Sequence, residues 1–137
     1  MEIMLDNIPK DMMQATAEYR DKIELLRGRV NLLTGKDKLL MTMYLDNSNS
    51  FRQMSRLAGM SDTTIARRVN GIIKRLADEK YVSCLRNRDK FSSSEMSIAK
   101  EHFLLGLSAR KIAARRRWSY YRARQAIKKI RMAIGNQ

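Results

Sequence analysis

Cysteine and histidine are almost missing from this chain: 137 residues hold one of each, Cys84 and His102. With one thiol and one imidazole, neither a disulfide framework nor a metal site with Cys/His spacing can be built. Cys84 is expected as an ordinary half-buried thiol and His102 as a helix-surface or core-edge residue. Long apolar runs are absent too. No stretch approaches the roughly 18 apolar residues of a membrane span, and Glu2 and Asp6 beside Met1 do not follow the basic-then-apolar plan of a signal peptide. The expected setting is therefore the cytosol, with no membrane contact. No catalytic constellation remains, so neither an enzyme nor a cofactor is expected.

Acidic residues are also scarce, and here the deficit is informative. Lys and Arg total 28 against 14 Asp and Glu, a net charge of +14 and a sequence pI near 10.4, in the range that suggests nucleic acid or another anionic surface. The excess is unevenly placed. Residues 1–49 carry a net −1, 50–90 carry +6, 91–99 carry −1 and 100–137 carry +10. The cations thus belong to the last two thirds of the chain, as an electrostatic footprint on particular elements requires. The length suits one domain of ordinary size or two very small ones, and 44% hydrophobic content supplies a modest core.

The first periodic segment begins after Asn7-Ile8-Pro9, with Asn7 or Ile8 in capping position and Pro9 suited to the first helical turn. Met12, Tyr19, Ile23, Leu26, Val30 and Leu33, with Thr16 as a weak member, form one apolar seam, and Thr34-Gly35 should end the helix. The seam suits either a helix packed on its own chain or an arm that pairs with a second copy in a homodimer. A shorter helix over about 36–46 follows, with Leu39, Leu40, Met43 and Tyr44 on one side. "DNSNS" (46–50) reads as a polar loop. Ser50 and Gln53 then form a capping box for a short helix that buries Met54, Leu57 and Ala58 and stops at Gly59.

A second helix restarts at Ser61, with Ile65, Val69, Ile72 and Leu76 at helical spacing and a polar, basic outer face. Short helix, glycine turn and second helix make a helix-turn-helix arrangement. A B-DNA major groove admits one helix, which a first helix crossing closely behind it can hold in place; that crossing needs a small residue, here Ser55, and a tight turn, here Gly59, with Met60 as an apolar plug. The first turn of this helix would then offer Asp62, Thr63 and Thr64 to base edges, while Arg67 and Arg68 reach bases or phosphates.

Shifting the sequence by 58 lays Ser50, Arg52, Met54, Met60, Ser61, Val69 and Ile72 on Ser108, Arg110, Ile112, Trp118, Ser119, Ile127 and Ile130. The chain repeats its own motif. In the second copy Ala113 is the small crossing residue and Trp118 the plug. Ser119 caps a helix whose inner positions are Ala123, Ile127, Ile130 and Ile134. Its outer face is Tyr120, Tyr121, Arg124, Gln125, Lys128 and Arg131. Arg115, Arg116 and Arg117 end the supporting helix, where cations suit the negative end of the dipole. Because Arg117 stands where the first copy has Gly59, the second turn is expected to be built differently. Phosphate contacts are assigned to Arg52, Lys74, Arg86, Arg88, Arg110, Lys111, Arg115, Arg116 and Lys129. A leading helix over 91–106 has Ser92 and Glu95 as a capping box, Ile98, Ala99, Phe103 and Leu104 as its apolar side, and Gly106 as its stop. Between the motifs, 81–91 reads as a short extended piece, a small β wing or a linker, on the β-propensity of Tyr81-Val82.

"FRQMSRLAGMSDTTIARRVNGIIKRLADEKYV" (51–82) resembles the helix-turn-helix of bacterial winged-helix regulators. "HFLLGLSARKIAARRRWSYYRARQAIKKIRMAIG" (102–135) is similar to the fourth region of sigma factors and to response-regulator output domains. The expected chain is all-α: the apolar seam gives an N-terminal amphipathic helix (1–34), which the resemblance does not cover, and the resemblance implies two three-helix helix-turn-helix domains after it (35–90 and 91–137), with or without the wing. The resemblance also implies double-stranded DNA as the partner, faced by Ser61, Asp62, Thr63, Thr64, Arg67 and Arg68 in the first motif and by Ser119, Tyr120, Tyr121, Arg122, Arg124, Gln125 and Lys128 in the second. The leading expectation is a sequence-specific transcription regulator with recognition helices at about 61–76 and 119–134. Two alternatives stay open: the DNA-binding part of a transposition, recombination or replication-initiation system, and an RNA-binding or RNA-polymerase-associated protein.

Overall fold

The computed structural model describes the backbone of residues 10–46 and 50–135, with side chains from residue 17 onward. The expected cap at Asn7 or Ile8, the Pro9 turn, the Met12 and Thr16 seam positions and the middle of the 46–50 loop lie outside the described residues. Among those described, every regular element is helical and there is no strand. The chain divides into two compact units, 1–62 and 63–137.

In the first unit, α1 (Lys10–Arg29) tightens into a 3₁₀ turn, Val30–Leu32. Of the described seam positions, Leu26 and Leu33 are buried, Ile23 and Val30 half-buried and Tyr19 exposed, so among them cover increases toward the C-terminal end. Gly35, at φ 59, opens α2 (Gly35–Asp46). Leu40, Met41, Met43 and Leu45 of α2 are buried; Leu39, expected inward, is 59% exposed. Arg27 Nη2 donates to the Leu45 carbonyl at 2.8 Å, tying the end of α1 to the end of α2. Helix α3 (Phe51–Ala58) has the expected capping box: the Gln53 N–H donates to Ser50 Oγ at 3.2 Å and the Ser50 N–H to Gln53 Oε1 at 2.9 Å. Met54 is its buried anchor. Leu57, also expected inward, is 72% exposed.

Helix α4 (Asp62–Ala77) buries Ile65, Val69, Ile72 and Leu76, as its spacing predicts. Where the sequence suggested an extended piece or wing stands a helix, α5 (Lys80–Arg86). Tyr81 and Cys84, one turn apart, are both buried with Ser83, and burial of an i, i+3 pair outweighs the weak β-preference of Tyr81-Val82. Asp78 accepts the Lys80 N–H at 2.8 Å at its start, and Asn87 Nδ2 donates to the Ser83 carbonyl at 2.8 Å at its end. Burial pushes the Cys84 thiol up to about 11, which leaves it protonated and unreactive near neutral pH.

A 3₁₀ turn, Arg88–Lys90, leads to α6 (Ser93–Ala99), whose capping box joins Ser92 and Glu95 at 3.1 and 2.9 Å. The helix then widens into a π turn, Lys100–Leu104, closed by the Leu105 N–H on the Lys100 carbonyl at 3.0 Å. The apolar pairs Ile98/Ala99 and Phe103/Leu104 stand five residues apart. In an α-helix that separation is about 140° around the axis; the wider i→i+5 turn brings both pairs to one side, and all four are buried. Gly106, at φ 76, stops the segment, and α7 (Ala109–Arg116) and α8 (Tyr120–Ala133) complete the unit.

The 58-residue repeat extends through the helix boundaries. α2 at 35–46 maps onto 93–104, which is α6 with its π turn, and α3 at 51–58 maps onto 109–116, which is α7. α4 and α8 begin at the matched positions 62 and 120. The core repeats as well: Leu40, Met41, Met54, Ile65, Val69, Ile72 and Leu76 correspond to Ile98, Ala99, Ile112, Ala123, Ile127, Ile130 and Ile134, and all fourteen are buried.

Candidate nucleic-acid interface

The two turns follow one backbone path. Gly59 takes φ 68, ψ 30, and the Met60 N–H reaches back to the Ser55 carbonyl at 3.2 Å. Arg117 takes φ 57, ψ 39, and the Trp118 N–H reaches back to the Ala113 carbonyl at 2.9 Å. Each is a left-handed helix stop closed by a six-to-one hydrogen bond. The expectation that the second turn would be built differently is therefore corrected: arginine adopts the glycine conformation. Trp118 offers a reason, since the Arg122 guanidinium lies over its ring at 4.0 Å and that of Arg116 at 5.5 Å, and such stacking helps hold the turn.

Ser119 caps α8 by accepting the Arg122 N–H at 3.1 Å. From there α8 has two faces. Ala123, Ile127, Ile130 and Ile134 turn inward, against α6 and α7. Tyr120, Tyr121, Arg122, Arg124, Gln125 and Lys128 are exposed, as is Ser119. Tyr120 is not a bare aromatic, because Arg110 of α7 covers its ring at 4.6 Å. Tyr121, at 71% exposure, stands clear. Arg124, Gln125, Lys128 and Arg131, all on the expected outer face, line one depression along the helix.

On α4, Thr63, Thr64 and Arg67 are exposed and Arg68 is half-buried; Ser61 and Asp62, the last residues of the first unit, are exposed before and at its start. Thr63, Arg67, Asn70 and Lys74 follow one stripe at steps of four, three and four, opposite the buried aliphatic positions.

The predicted phosphate ligands fall into two groups. Arg52, Lys74, Arg86, Arg88, Arg110 and Lys111 are exposed. Arg115, Arg116 and Lys129 are engaged with carboxylates of their own unit. Arg116, expected on the outer surface, faces inward: it binds Glu101 and donates to Ser97 Oγ at 2.8 Å, with its side chain 22% exposed. Arg115 stands 3.7 Å from the same Glu101 but remains largely exposed, and Lys129 pairs with Glu95 at 2.9 Å. The reason is Glu101, the lone acid of the +10 segment, which the π turn places in the core beneath α7. Sequence reading missed it because it stands 14 and 15 positions from the arginines it serves.

Arg75 was missed for a similar reason. Its Nε donates to the Leu104 carbonyl at 2.9 Å, joining α4 to the π turn, and a Cβ at Gly106 would lie 3.0 Å from its Cδ, Nε and Nη1. Gly106 therefore serves both a positive φ and a close approach.

No family model, curated protein or solved structure matches the chain. No helix among the described residues is long and apolar enough to cross a membrane.

Proposed function

We propose that the chain is a sequence-specific duplex-DNA-binding protein acting in transcription regulation, with α8 as its principal reading helix and α4 as the second. The two-faced character of α8 carries this reading: a fully aliphatic inner row backs an outer row of hydrogen-bonding and cationic side chains. Arg124 has the fork geometry that pairs with guanine, and Gln125 the amide that pairs with adenine. Tyr121 offers an aromatic face to a thymine methyl. Arg110 and Lys111, exposed on α7, with the outer part of Arg115, grip phosphates and set the register. On α4, Thr63, Thr64 and Arg67 play the corresponding part, and the matching turn path and core positions of the first copy support that assignment.

Selecting bound duplexes from a random pool tests the proposal. A two-part motif is expected, one part for each reading helix. A single short motif would leave α4 with a phosphate-gripping role only. No enrichment, or tighter binding to single strands than to duplex at matched salt, would overturn the proposal.

A further inference from the structure

The C-terminal turns of α4 and α8, the start of α5 and the π turn converge on a cavity of about 220 Å³, lined by Lys74, Arg75, Asp78, Lys80, His102 and Arg131 over the Phe103 ring. Its charge is one-sided. Asp78, paired with the Lys80 ammonium at 3.0 Å, is the one acid of a lining that also holds Lys74, Arg75 and Arg131, so the net charge of the lining is positive.

The two guanidiniums are held in place by neutral groups. Arg75 is oriented by its bond to the Leu104 carbonyl, which uses one of five donors. Arg131 lies 5.4 Å over the Phe103 ring, and its Nη2 sits 3.2 Å from His102 Nε2. His102 Nδ1 is 2.7 Å from the Leu107 carbonyl, so Nδ1 carries the proton and donates, and Nε2 is the acceptor for Arg131. Cations fixed in advance by uncharged partners lose little freedom when an anion arrives. The field of the cavity already favours negative charge. Burial works against the Asp78 carboxylate, yet the Lys80 N–H, the Lys80 ammonium and the charge of Arg131 together hold its pKa below the ordinary value.

We propose that this cavity is a phosphate-binding site, in which Arg75 and Arg131 grip the oxyanion with guanidinium N–H groups and Lys74 closes it from the solvent side. A phosphate group carries the complementary charge and fits within the cavity. Its source is either the backbone of a nucleic-acid strand passing α8 or a small phosphorylated molecule. In both cases the ligand engages Arg131, which also lines the depression shared with Arg124, Gln125 and Lys128.

The test uses the full chain without nucleic acid, so that its outcome is separate from that of the DNA proposal. Inorganic phosphate is exchanged for chloride at constant ionic strength and pH, and the imidazole proton resonances of His102, the single histidine, are followed. The expected result is a saturable shift with a midpoint of about a millimolar or below. Lys74→Gln, at an exposed position that leaves packing alone, and Arg131→Gln should each raise that midpoint about tenfold or more. A shift that is linear in phosphate, or a midpoint unchanged by Lys74→Gln, overturns the site. A short duplex then identifies the source. Displacement of inorganic phosphate by duplex supports the site as a strand-phosphate contact; simultaneous binding with an unchanged midpoint supports it as a small-molecule site. A chain that takes phosphate saturably but no duplex keeps the site and loses the DNA reading.

Discussion

The two copies of the repeat reach the same helix boundaries and the same buried positions by different chemistry. Where the second copy buries Glu101 against Arg116, positions 58 residues earlier hold Met43 and Ala58. Where the first copy turns on Gly59, the second turns on Arg117. The first copy is thus apolar at these two positions and relaxed at its turn; the second is ionic there and strained at its turn. The comparison teaches that helix length and the aliphatic row define the shared framework, while the polar inserts are particular to one copy. The second copy also carries most of the charge excess, which agrees with α8 as the principal reader.

The largest effect is expected at the ionic contact. Glu101→Gln leaves Arg116 without its carboxylate and should lower unfolding stability by about 3 kcal/mol, measured by denaturant titration. Transplanting the first copy's solution, Glu101→Met with Arg116→Ala, should recover most of that loss, because an apolar replacement of a buried pair is often neutral. A double variant as unstable as Glu101→Gln would show that the two copies are not interchangeable there.

Next comes recognition. Arg124→Ala should weaken binding to a selected duplex by about 1–3 kcal/mol and relax preference at one base position. Lys111→Ala should weaken all sequences alike and reduce the salt slope by about 1. Equal losses on specific and random duplex from both changes would break the division between reading helix and supporting helix. Arg67→Ala, measured in the same titration, tells whether α4 shares the base-reading role proposed for α8.

At the turns the effects are smaller and opposite in sign. Arg117→Gly should raise stability by about 0.5–1 kcal/mol by relieving a left-handed non-glycine residue, and Gly59→Ala should lower it by about 1 kcal/mol. Destabilisation by Arg117→Gly would mean that stacking around Trp118 outweighs the backbone strain.

The smallest effect concerns the caps. The Ser92 N–H, and after it Lys129, hold the Glu95 pKa below the ordinary glutamate value. A depressed folded-state pKa contributes stability that is fully present above the unfolded value and is lost as pH falls through the folded one. Glu95→Gln keeps the box but removes the charge. Its stability deficit should therefore be present at pH 7, begin to shrink below about 4.3, the unfolded value, and vanish once the pH passes below the depressed folded one, as followed by thermal melts across pH. The Ser50–Gln53 box of α3, being uncharged, should give no such dependence. A deficit independent of pH would contradict the assignment.

What was legible in the sequence was local or periodic. Both capping boxes, the stop at Gly59, the aliphatic rows of α4 and α8 and the repeat itself follow from spacings of a few residues. What was not legible depends on partners distant in the chain. Leu39 and Leu57 satisfy a helical period yet face solvent, because period alone does not say which side another element covers. The α5 helix is imposed by burial of Tyr81 and Cys84 against a weak local preference. Arg116 turns inward because Glu101 lies beneath α7. The π turn did leave a signal, two apolar pairs five residues apart, which a search for a period of 3.6 passes over.

The most direct test of the central claim places a cutting reagent on the reading face. With Cys84 buried and protonated, Gln125→Cys supplies a single reactive thiol for a tethered iron chelate. Strand cleavage of a selected duplex should be confined to a few adjacent base pairs, with the strand offset of a source in the major groove. Cleavage spread evenly along the duplex, or only at its flanks, would contradict α8 as the helix that reads DNA.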